Sequence, residues 1–325
     1  MISPEDVPGK IDEYLKTMPS KGSEVEIGFF GGTFTGLARE VQEGFLLSVR
    51  KYLSEQHISG IRLSTRPDRI DKDILRLLKK NGVRCIELGV QSMSDRVLSA
   101  SKRGHTADDV RHASGMILDE GFILGHQIML GLPFSTFDDE IFTAECVKEL
   151  GASQVRIYPV VVMKNTLLAE KWIKKEYTPL SEEEAVERSA RIVIYFESEN
   201  IKVIRCGLHP SEDLLSGQGI LAGPFHTAFG SKVESRIFSF ILGHIVEKVP
   251  TGSVGNAKMF YNPRDEAVFF GFKKENLHYI TDICGRSNLR KDKNVPQGSV
   301  RIVLEGKDFL IDRKTVADAY DNNIR

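Results

Sequence analysis

Polar and glycine residues interrupt this 325-residue chain at the ends of several short apolar runs. In chain order the interruptions are Gly31-Gly32-Thr33, Ser64-Thr65-Arg66, Gly89-Val90-Gln91-Ser92, Gln127 ahead of Gly131-Leu132-Pro133, and Arg156 with Tyr158. A buried polar group costs free energy unless it is hydrogen-bonded, so any one of these positions has an ordinary structural explanation. Parallel sheets bind ligands beyond the carboxyl ends of their strands, and several such positions on one edge indicate a shared ligand site.

The segment Gly31–Gly36 (GGTFTG) admits several interpretations. Glycines after a strand let the backbone approach a ligand and present N–H groups to an anion, so an enzyme that binds a phosphate-type anion here is one hypothesis. A nicotinamide site would need an acidic residue at the end of the next strand, and that strand ends in Ser64-Thr65-Arg66. The P-loop pattern does not occur, and a plain tight turn is the remaining alternative.

Short apolar runs alternate with amphipathic helical stretches from residue 25 to about residue 206. We predict strands over Val25–Phe30, Gly60–Ser64, Cys85–Val90, Ile123–Leu130, Gln154–Val162 and Lys202–Arg205. We predict helices between them, one from about Ala38 to Glu55. This alternation indicates right-handed βαβ crossovers, so the predicted fold is α/β with a partial parallel (βα) barrel, and an open doubly wound sheet is the alternative.

The chain begins on a helix rather than a strand. Ser3-Pro4-Glu5-Asp6 is a helix start, and Val7, Ile11 and Leu15 follow at helical spacing. Two explanations stay open at this point. Either the fold begins with an extra helix, or a leading strand and its loop are absent from this sequence.

The alternation decays after about residue 207. Lys232–Val249 has a helical pattern, while Ala267–Phe270 and Ser299–Leu304 are typical of strands. We therefore predict two domains, the barrel over residues 1–207 and a C-terminal α+β appendage over residues 208–325.

Composition excludes several classes of protein. Lys and Arg number 44 against 45 Asp and Glu, which leaves a net charge of −1 and no global basic field for nucleic acid or an anionic membrane. No apolar run approaches the roughly 20 residues of a membrane helix, and no signal-peptide core is present at the start. We expect a cytoplasmic protein without a membrane partner. Its four scattered cysteines, Cys85, Cys146, Cys206 and Cys284, are then most simply reduced thiols.

Three further groups of residues have weaker claims to chemistry. Cys206-x-x-His209 with His226 lacks an evident fourth metal ligand, so structural use is favoured and no metal site is predicted. His105 beside Arg103 is interpreted as loop polarity rather than as a general base. The acidic run Glu182–Glu184 is interpreted as a helix N-terminus.

The series GGTFTG, STRPD, ELGVQS, SKRGHT, IMLGLP and RIYP, in this order and at these intervals, resembles the radical S-adenosylmethionine superfamily. The likeness covers roughly residues 3–240. Its nearest counterpart is the radical domain of the Elongator catalytic subunit and its bacterial relatives, and oxygen-independent coproporphyrinogen oxidases are more distant. In that family a partial (βα) barrel holds a 4Fe–4S cluster and S-adenosylmethionine.

The resemblance implies roles for particular residues as cofactor contacts. Gly31, Gly32 and Thr33 match the glycine motif that meets the methionine amino group, and Gln91 and Arg103 match polar contacts to S-adenosylmethionine. Gln127 matches a cofactor-facing position that is acidic in the coproporphyrinogen relatives. Ser64 stands where many relatives have Glu, and we include it among the cofactor-binding residues. No catalytic residue is assigned.

One family feature is absent from this sequence. Relatives carry three closely spaced cysteines in a loop after their first strand, and these hold the cluster. The four cysteines here cannot replace that triplet by spacing. We therefore hypothesise a radical enzyme that lacks its leading strand and cluster loop and is inactive as written, with its substrate unknown.

A non-catalytic descendant that binds S-adenosylmethionine or RNA is the alternative function, although the net charge gives RNA no support. The acetyltransferase domain of the Elongator subunit is not recognisable after residue 240, so acetyl-CoA use and wobble-uridine modification are not supported. A barrel opened at its first strand exposes a sheet edge, so we expect aggregation or an oligomer unless the appendage covers the gap.

Overall fold

The computed structural model describes residues 2–17, 25–55, 57–208, 219–248 and 257–320. The strands in this part of the chain are β1 (Glu26–Phe29), β2 (Gly60–Thr65), β3 (Val83–Gln91), β4 (Ile123–Leu130), β5 (Gln154–Pro159), β6 (Val162–Met163), β7 (Lys202–Cys206), β8 (Ile220–Ala222), β9 (Lys258–Tyr261), β10 (Leu289–Lys291), β11 (Val300–Leu304) and β12 (Lys307–Ile311).

The helices are α1 (Val7–Thr17), α2 (Arg39–Ser48), α3 (Arg50–Ser54), α4 (Lys72–Lys80), α5 (Asp95–Ala100), α6 (Ala107–Asp119), α7 (Phe137–Glu149), α8 (Leu167–Ile173), α9 (Glu182–Ser198), α10 (Phe229–Lys248), α11 (Glu266–Phe270), α12 (Leu277–Ile283) and α13 (Arg313–Tyr320). Several begin at side-chain caps. Asp71 accepts a hydrogen bond from the backbone N–H of Ile74, and Thr106 and Ser181 each form a capping box with the acidic residue three positions later.

The main sheet has six strands in the order β1-β2-β3-β4-β5-β7. β2 pairs in parallel with β1 and with β3, and β3 pairs in parallel with β4. The six predicted strands are the six strands of this sheet, and the prediction of an α/β partial (βα) barrel is confirmed. The run predicted as one strand over Gln154–Val162 is two, because β5 ends at Pro159 and β6 begins at Val162.

The two faces of strands β2 to β4 differ in chemistry. In the observed register Ser64 lies beside Glu87 and Glu87 beside Gly125, while Gly89 lies beside Gln127. Neighbours in register point to the same side of a sheet, so Arg62, Ser64, Glu87 and Gln127 share one face. Ile61, Leu63, Ile86, Leu88 and Leu124 alternate with them along the strands, point to the opposite face and are buried.

Helix α1 lies before β1, which is the end strand of the sheet order. Val7 and Ile11 of this helix are buried, and the hydroxyl of Tyr52 donates hydrogen bonds to Pro8 O and Asp12 Oδ1 at 3.0 and 2.7 Å. Within the described ranges, β1 has a strand neighbour on one side only. The predicted long helix from Ala38 to Glu55 is two helices that meet at Val49.

The chain divides into two compact units, residues 1–128 with 145–156, and residues 129–144 with 157–325. This division follows three-dimensional contacts and cuts β4 and β5, whereas the predicted boundary at residue 207 follows the end of the βα alternation. The boundary at residue 207 stays a prediction.

The second unit contains a four-stranded sheet in the order β10-β9-β11-β12 and an antiparallel pair of β6 with β8. The predicted strand Ser299–Leu304 is β11. The predicted strand Ala267–Phe270 is wrong, because these residues lie in helix α11. Asn262 accepts a hydrogen bond from the backbone N–H of Arg264 at a turn with Pro263, and this turn starts a helix where the apolar run alone suggested a strand.

A search of the described helices for a membrane-crossing segment finds none that is both long enough and apolar enough.

Candidate functional site

A cleft of about 230 Å³ lies at the carboxyl ends of β1 to β4 in the first unit. We call it the strand-end cleft. Its lining consists of Gly32, Thr33, Ser64, Thr65, Arg66, Gly89, Gln91, Arg103, His105 and Gln127. These residues come from four strand ends and from the loop before α6, which is the position where a parallel sheet converges its polar groups.

Six of the seven residues predicted as cofactor contacts line this cleft: Gly32, Thr33, Ser64, Gln91, Arg103 and Gln127. Gly31 does not line the cleft; it lines an adjacent apolar groove of about 980 Å³ along β1 and α1, which shares Gly32 and Thr33 with the cleft. Arg156 and Tyr158, which the sequence placed at the same edge, are not part of the cleft lining. Contact of any of these residues with S-adenosylmethionine stays a prediction.

The glycine turn after β1 is held open toward the cleft. Gly31 has a φ of +106°, which other residues rarely adopt, and a Cβ atom at Gly32 would meet no heavy atom within 4 Å. Thr35 and Thr65 share a hydroxyl hydrogen bond of 2.5 Å, and the buried amide of Gln42 donates to Leu37 O at 2.8 Å. The turn is therefore fixed to β2 and α2 while the space above Gly32 stays clear.

Gln91 enters the cleft in a strained backbone conformation. Its φ is +67°, and the pairing of β3 with β4 is irregular between Gly89 and Gln91. A Cβ atom at Gly89 would lie 2.8 Å from Gln91 Nε2, so the side chain of Gln91 folds over a position that only glycine leaves free. Strain of this kind, about 1–3 kcal/mol, concentrates at functional sites.

Arg66 joins two loops of the cleft. Its guanidinium donates two hydrogen bonds to Asp68, at 2.8 and 2.9 Å, and a third to the carbonyl of Gly104 at 2.9 Å. The hydrogen bonds from Arg66 lower the pKa of Asp68. The STRPD segment after β2 and the RGHT segment before α6 are thereby connected through one side chain.

The cleft has a positive electrostatic character. Burial lowers the pKa of Arg103, and the nearby charge of Arg66 lowers it further. Arg66 forms an ion pair with Asp68. Arginine side chains bind carboxylate and phosphate groups, so an anionic ligand group suits this cleft.

His105, which the sequence led us to interpret as loop polarity, is a buried residue of the cleft wall. It is 7% exposed, its Nε2 lies 3.1 Å from Val90 O, and its Nδ1 is buried with no hydrogen-bond partner within the described residues. Burial lowers the pKa of this imidazole, and the charges of Arg66 and Arg103 lower it as well. The only signal in the sequence was its place two residues after Arg103, which does not reveal burial.

Gln127 connects the cleft to a buried charge network on the polar face of the sheet. Its Nε2 donates to Glu87 Oε2 at 3.1 Å, and the same carboxylate accepts from Arg62 and from Arg156. Glu87 is 0% exposed, and Gly125 leaves the space that its side chain occupies. Gln127 is therefore held with its amide nitrogen toward Glu87.

The four cysteines do not fit an iron–sulfur cluster. A cluster needs several thiolates together, and the described residues contain no group of three or more His, Cys, Asp or Glu side chains that could hold a metal. Burial raises the pKa of Cys85 and of Cys206 to about 12, raises that of Cys284 to about 11, and raises that of Cys146. Burial thus disfavours the thiolate, the form that binds a metal, at all four positions.

The group of Cys206, His209 and His226, considered in the sequence as a metal site, gains no support from the described part of the structure. His226 Nδ1 accepts a hydrogen bond from the backbone N–H of Ala228 at 2.9 Å, which is a structural use. His209 lies outside the described residues.

Sequence comparison identifies the family. Residues 3–146 match the Radical SAM superfamily, and residues 152–238 match the Radical_SAM C-terminal domain. The two matches together span more than two-thirds of the chain. The chain belongs to the radical SAM superfamily, as the resemblance of its motifs implied.

Curated relatives include a tRNA uridine(34) acetyltransferase of Methanocaldococcus infernus, 29% identical over 59% of this chain and 39% of the relative. Elongator complex protein 3 of Saccharomyces cerevisiae is 28% identical over 58% of this chain and 37% of its own length. The chain thus spans about two-fifths of the length of these relatives.

A solved structure supports the fold. The archaeal Methanocaldococcus infernus Elp3 with an N-terminal deletion (1–46) superimposes with a TM-score of 0.62 at 23% identity, over 73% of this chain and 61% of that chain. At this identity the similarity concerns the fold alone.

Proposed function

We propose that this chain binds S-adenosylmethionine in the strand-end cleft. The observation that carries the proposal is the convergence of six motif residues from four strand ends and the RGHT loop on one cleft. Membership of the radical SAM superfamily supports the choice of ligand. When bound, S-adenosylmethionine supplies an electrophilic sulfonium next to a zwitterionic amino acid end.

The residues of the cleft suit that zwitterionic end. The guanidinium groups of Arg103 and Arg66 both line the cleft and provide positive charge for the carboxylate. The open backbone at Gly32 lets a ligand approach the turn after β1. Gln91 and Gln127 contribute amide groups with both donor and acceptor capacity. A volume of about 230 Å³ is below the usual range for a drug-sized ligand, so we assign the cleft to part of the molecule.

Isothermal titration calorimetry with S-adenosylmethionine tests the proposal. Gly32→Val is the sharpest variant, because Gly32 lacks a positive φ and its Cβ would enter open space, so the fold tolerates the change while the side chain fills the approach to the cleft. Gly115→Val on exposed α6 is the matched control, since Gly115 also has no neighbour within 4 Å of a Cβ. We expect wild type and Gly115→Val to bind and Gly32→Val not to bind.

The contradicting outcomes are equally specific. Binding of S-adenosylmethionine to Gly32→Val with wild-type affinity would place the ligand elsewhere. An absence of heat with wild-type protein would remove the proposal. Thermal stabilisation by inorganic phosphate, lost in Gly32→Val, would instead favour an anion-binding enzyme of another kind.

We also propose that these 325 residues do not by themselves cleave S-adenosylmethionine reductively. The support is the mismatch between a cluster that needs grouped thiolates and four thiols with raised pKa values. Anaerobic reconstitution with iron and sulfide should give no cluster absorbance beyond that of a variant with all four cysteines replaced by serine. Stoichiometric iron uptake with a cluster spectrum would refute this second proposal and leave the binding proposal intact.

We propose RNA as a candidate for the class of substrate, beside S-adenosylmethionine as the bound cofactor. The supporting observation is that relatives at 29–30% identity carry the name tRNA uridine(34) acetyltransferase. Filter binding with unfractionated tRNA at about 50 and 200 mM salt tests the proposal, because phosphate contacts weaken steeply with salt. Binding that S-adenosylmethionine strengthens would support RNA as the substrate, and no binding at the lower salt would oppose it.

A further inference from the structure

We propose that His105 is a ligand-positioning residue of the strand-end cleft, whose Nδ1 accepts a hydrogen bond from an uncharged donor on the nucleoside part of the ligand. The inference deepens the proposed function and rests on it. It starts from the hydrogen bond between His105 and Val90 at the end of β3.

The tautomer of His105 follows from its partner. Nε2 lies 3.1 Å from the carbonyl oxygen of Val90, and a carbonyl oxygen only accepts hydrogen bonds. Nε2 must therefore carry the proton. In a neutral imidazole the other nitrogen then has a free lone pair, so Nδ1 is an acceptor.

This acceptor has no partner within the described part of the chain. Nδ1 is shielded from bulk water, and the residue as a whole is 7% exposed. A buried acceptor without a hydrogen bond is unfavourable and calls for a specific explanation. Because His105 forms part of the wall of the strand-end cleft, a group bound there can supply the missing donor.

The electrostatic surroundings select the kind of donor. The charged groups that face His105 are Arg66, Arg103 and Asp68, two cations against one anion. A ligand ammonium beside this imidazole would experience repulsion from the two guanidinium groups, while a hydroxyl or an amino group of a nucleoside carries no net charge. The positive potential directs the ligand carboxylate toward the arginines and leaves a neutral donor for Nδ1.

Two substitutions separate the acceptor from the structural hydrogen bond. The amide of His105→Gln reaches the position of Nε2 and can still donate to Val90 O, but it has no acceptor at the position of Nδ1. His105→Asn places its amide oxygen near Nδ1 and gives up the bond to Val90 O. We expect His105→Gln to weaken binding of S-adenosylmethionine by about tenfold or more, the factor of one lost buried hydrogen bond, and His105→Asn to weaken it less.

Fragments of the ligand locate the donor. Calorimetry of the full chain with 5′-methylthioadenosine, which lacks the amino acid end, should show the same loss in His105→Gln. Calorimetry with L-methionine, which lacks the nucleoside, should show no loss. A loss confined to L-methionine would overturn the assignment to a neutral donor.

Nitrogen NMR of protein labelled at its eight histidines gives a readout independent of affinity. The His105 resonances, assigned by their absence from His105→Gln, should show an Nε2-protonated tautomer, and the Nδ1 signal should shift on addition of S-adenosylmethionine. An unchanged Nδ1 signal in the presence of bound ligand would mean that a buried water satisfies the acceptor, and would overturn the inference alone. No binding of S-adenosylmethionine by wild type would overturn the proposed function and this inference together.

Discussion

The guanidinium of Arg156 donates two hydrogen bonds to the carboxylate of Glu87, from Nε to Oε2 at 2.6 Å and from Nη2 to Oε1 at 3.1 Å. Arg62 approaches the same carboxylate at 3.0 Å and also binds Glu26 of β1 at 2.8 Å. The ring of Phe30 covers the guanidinium of Arg156, 4.7 Å from its centroid. Four strands are therefore tied to one fully buried acidic residue.

Glu87→Gln should destabilise the first unit strongly. The substitution leaves two guanidinium groups facing a neutral amide in a buried network, and breaking a buried ion pair costs about 3–5 kcal/mol. The free energy of unfolding from urea titration is the measurement. Glu13→Gln on exposed α1 is the control and should change the free energy by less than about 0.5 kcal/mol. Equal stability of Glu87→Gln and wild type would show that the network contributes no net stabilisation.

Gln91→Gly should separate stability from binding. Glycine relieves the positive φ of +67° but raises the entropy of the unfolded chain, so the two effects nearly cancel and the free energy of unfolding should change by about 1 kcal/mol or less. The cleft loses an amide, so affinity for S-adenosylmethionine should fall. Lys175→Gly, at a φ of +60° away from the cleft, is the control for strain alone. A large loss of stability in Gln91→Gly would indicate a packing role instead.

His126 should make the protein sensitive to acid. Burial lowers its pKa to about 3, and its Nε2 lies 3.0 Å from Ser114 Oγ. The unfolded chain binds a proton at His126 below about pH 6.5, while the folded chain does not until about pH 3. Stability therefore falls with falling pH in this window, by up to about 1.4 kcal/mol per pH unit from this residue.

Urea titrations at several pH values between 7 and 4 measure that slope. His126→Gln should have a flatter slope than wild type, while His112→Gln on the exposed face of α6 should keep the wild-type slope. Identical slopes in all three proteins would show that His126 has the same pKa in the folded and the unfolded chain.

The four thiols should be unreactive toward an alkylating reagent at pH 7 in the folded chain. The thiolate is the nucleophile, and burial raises the pKa of each of these cysteines above its ordinary value. Unfolding in urea should make all four react, as mass spectrometry would register. Rapid modification of any one thiol before unfolding would reveal a thiolate that the buried environment does not predict.

Much of the fold follows from local pattern. The strand predicted over Ile123–Leu130 has the observed bounds of β4, because a strand buried on one face and closed by Gly-Leu-Pro leaves little ambiguity. Errors occur where tertiary context decides. The helix break at Val49 has no glycine or proline to mark it. The strand β9 (Lys258–Tyr261) depends on its pairing with β10 and β11, and its four residues alone do not predict a strand.

The candidate site was predictable to the extent that it depends on strand ends. Ser64, Gln91 and Gln127 stand out as polar residues at the ends of apolar runs, and the structure gathers them at one cleft. Arg156 has the same appearance in sequence but binds Glu87, because only the fold brings two residues 69 positions apart into contact. His105 escaped prediction for the same reason, since its interest lies in burial and in the carbonyl of Val90.

The polar face of the sheet also determines the pairing register of its strands. Side chains alternate along a strand, so a slip of β3 by one residue would turn the Glu87 carboxylate away from Arg62 and Arg156 and into the layer that packs on the helices. No guanidinium of that network could follow it there, and the mispaired chain would carry unsatisfied charges on both sides. The ionic network thus favours the correct pairing register of the strands. The same register brings the residues of the strand-end cleft to one level at the carboxyl ends of the strands.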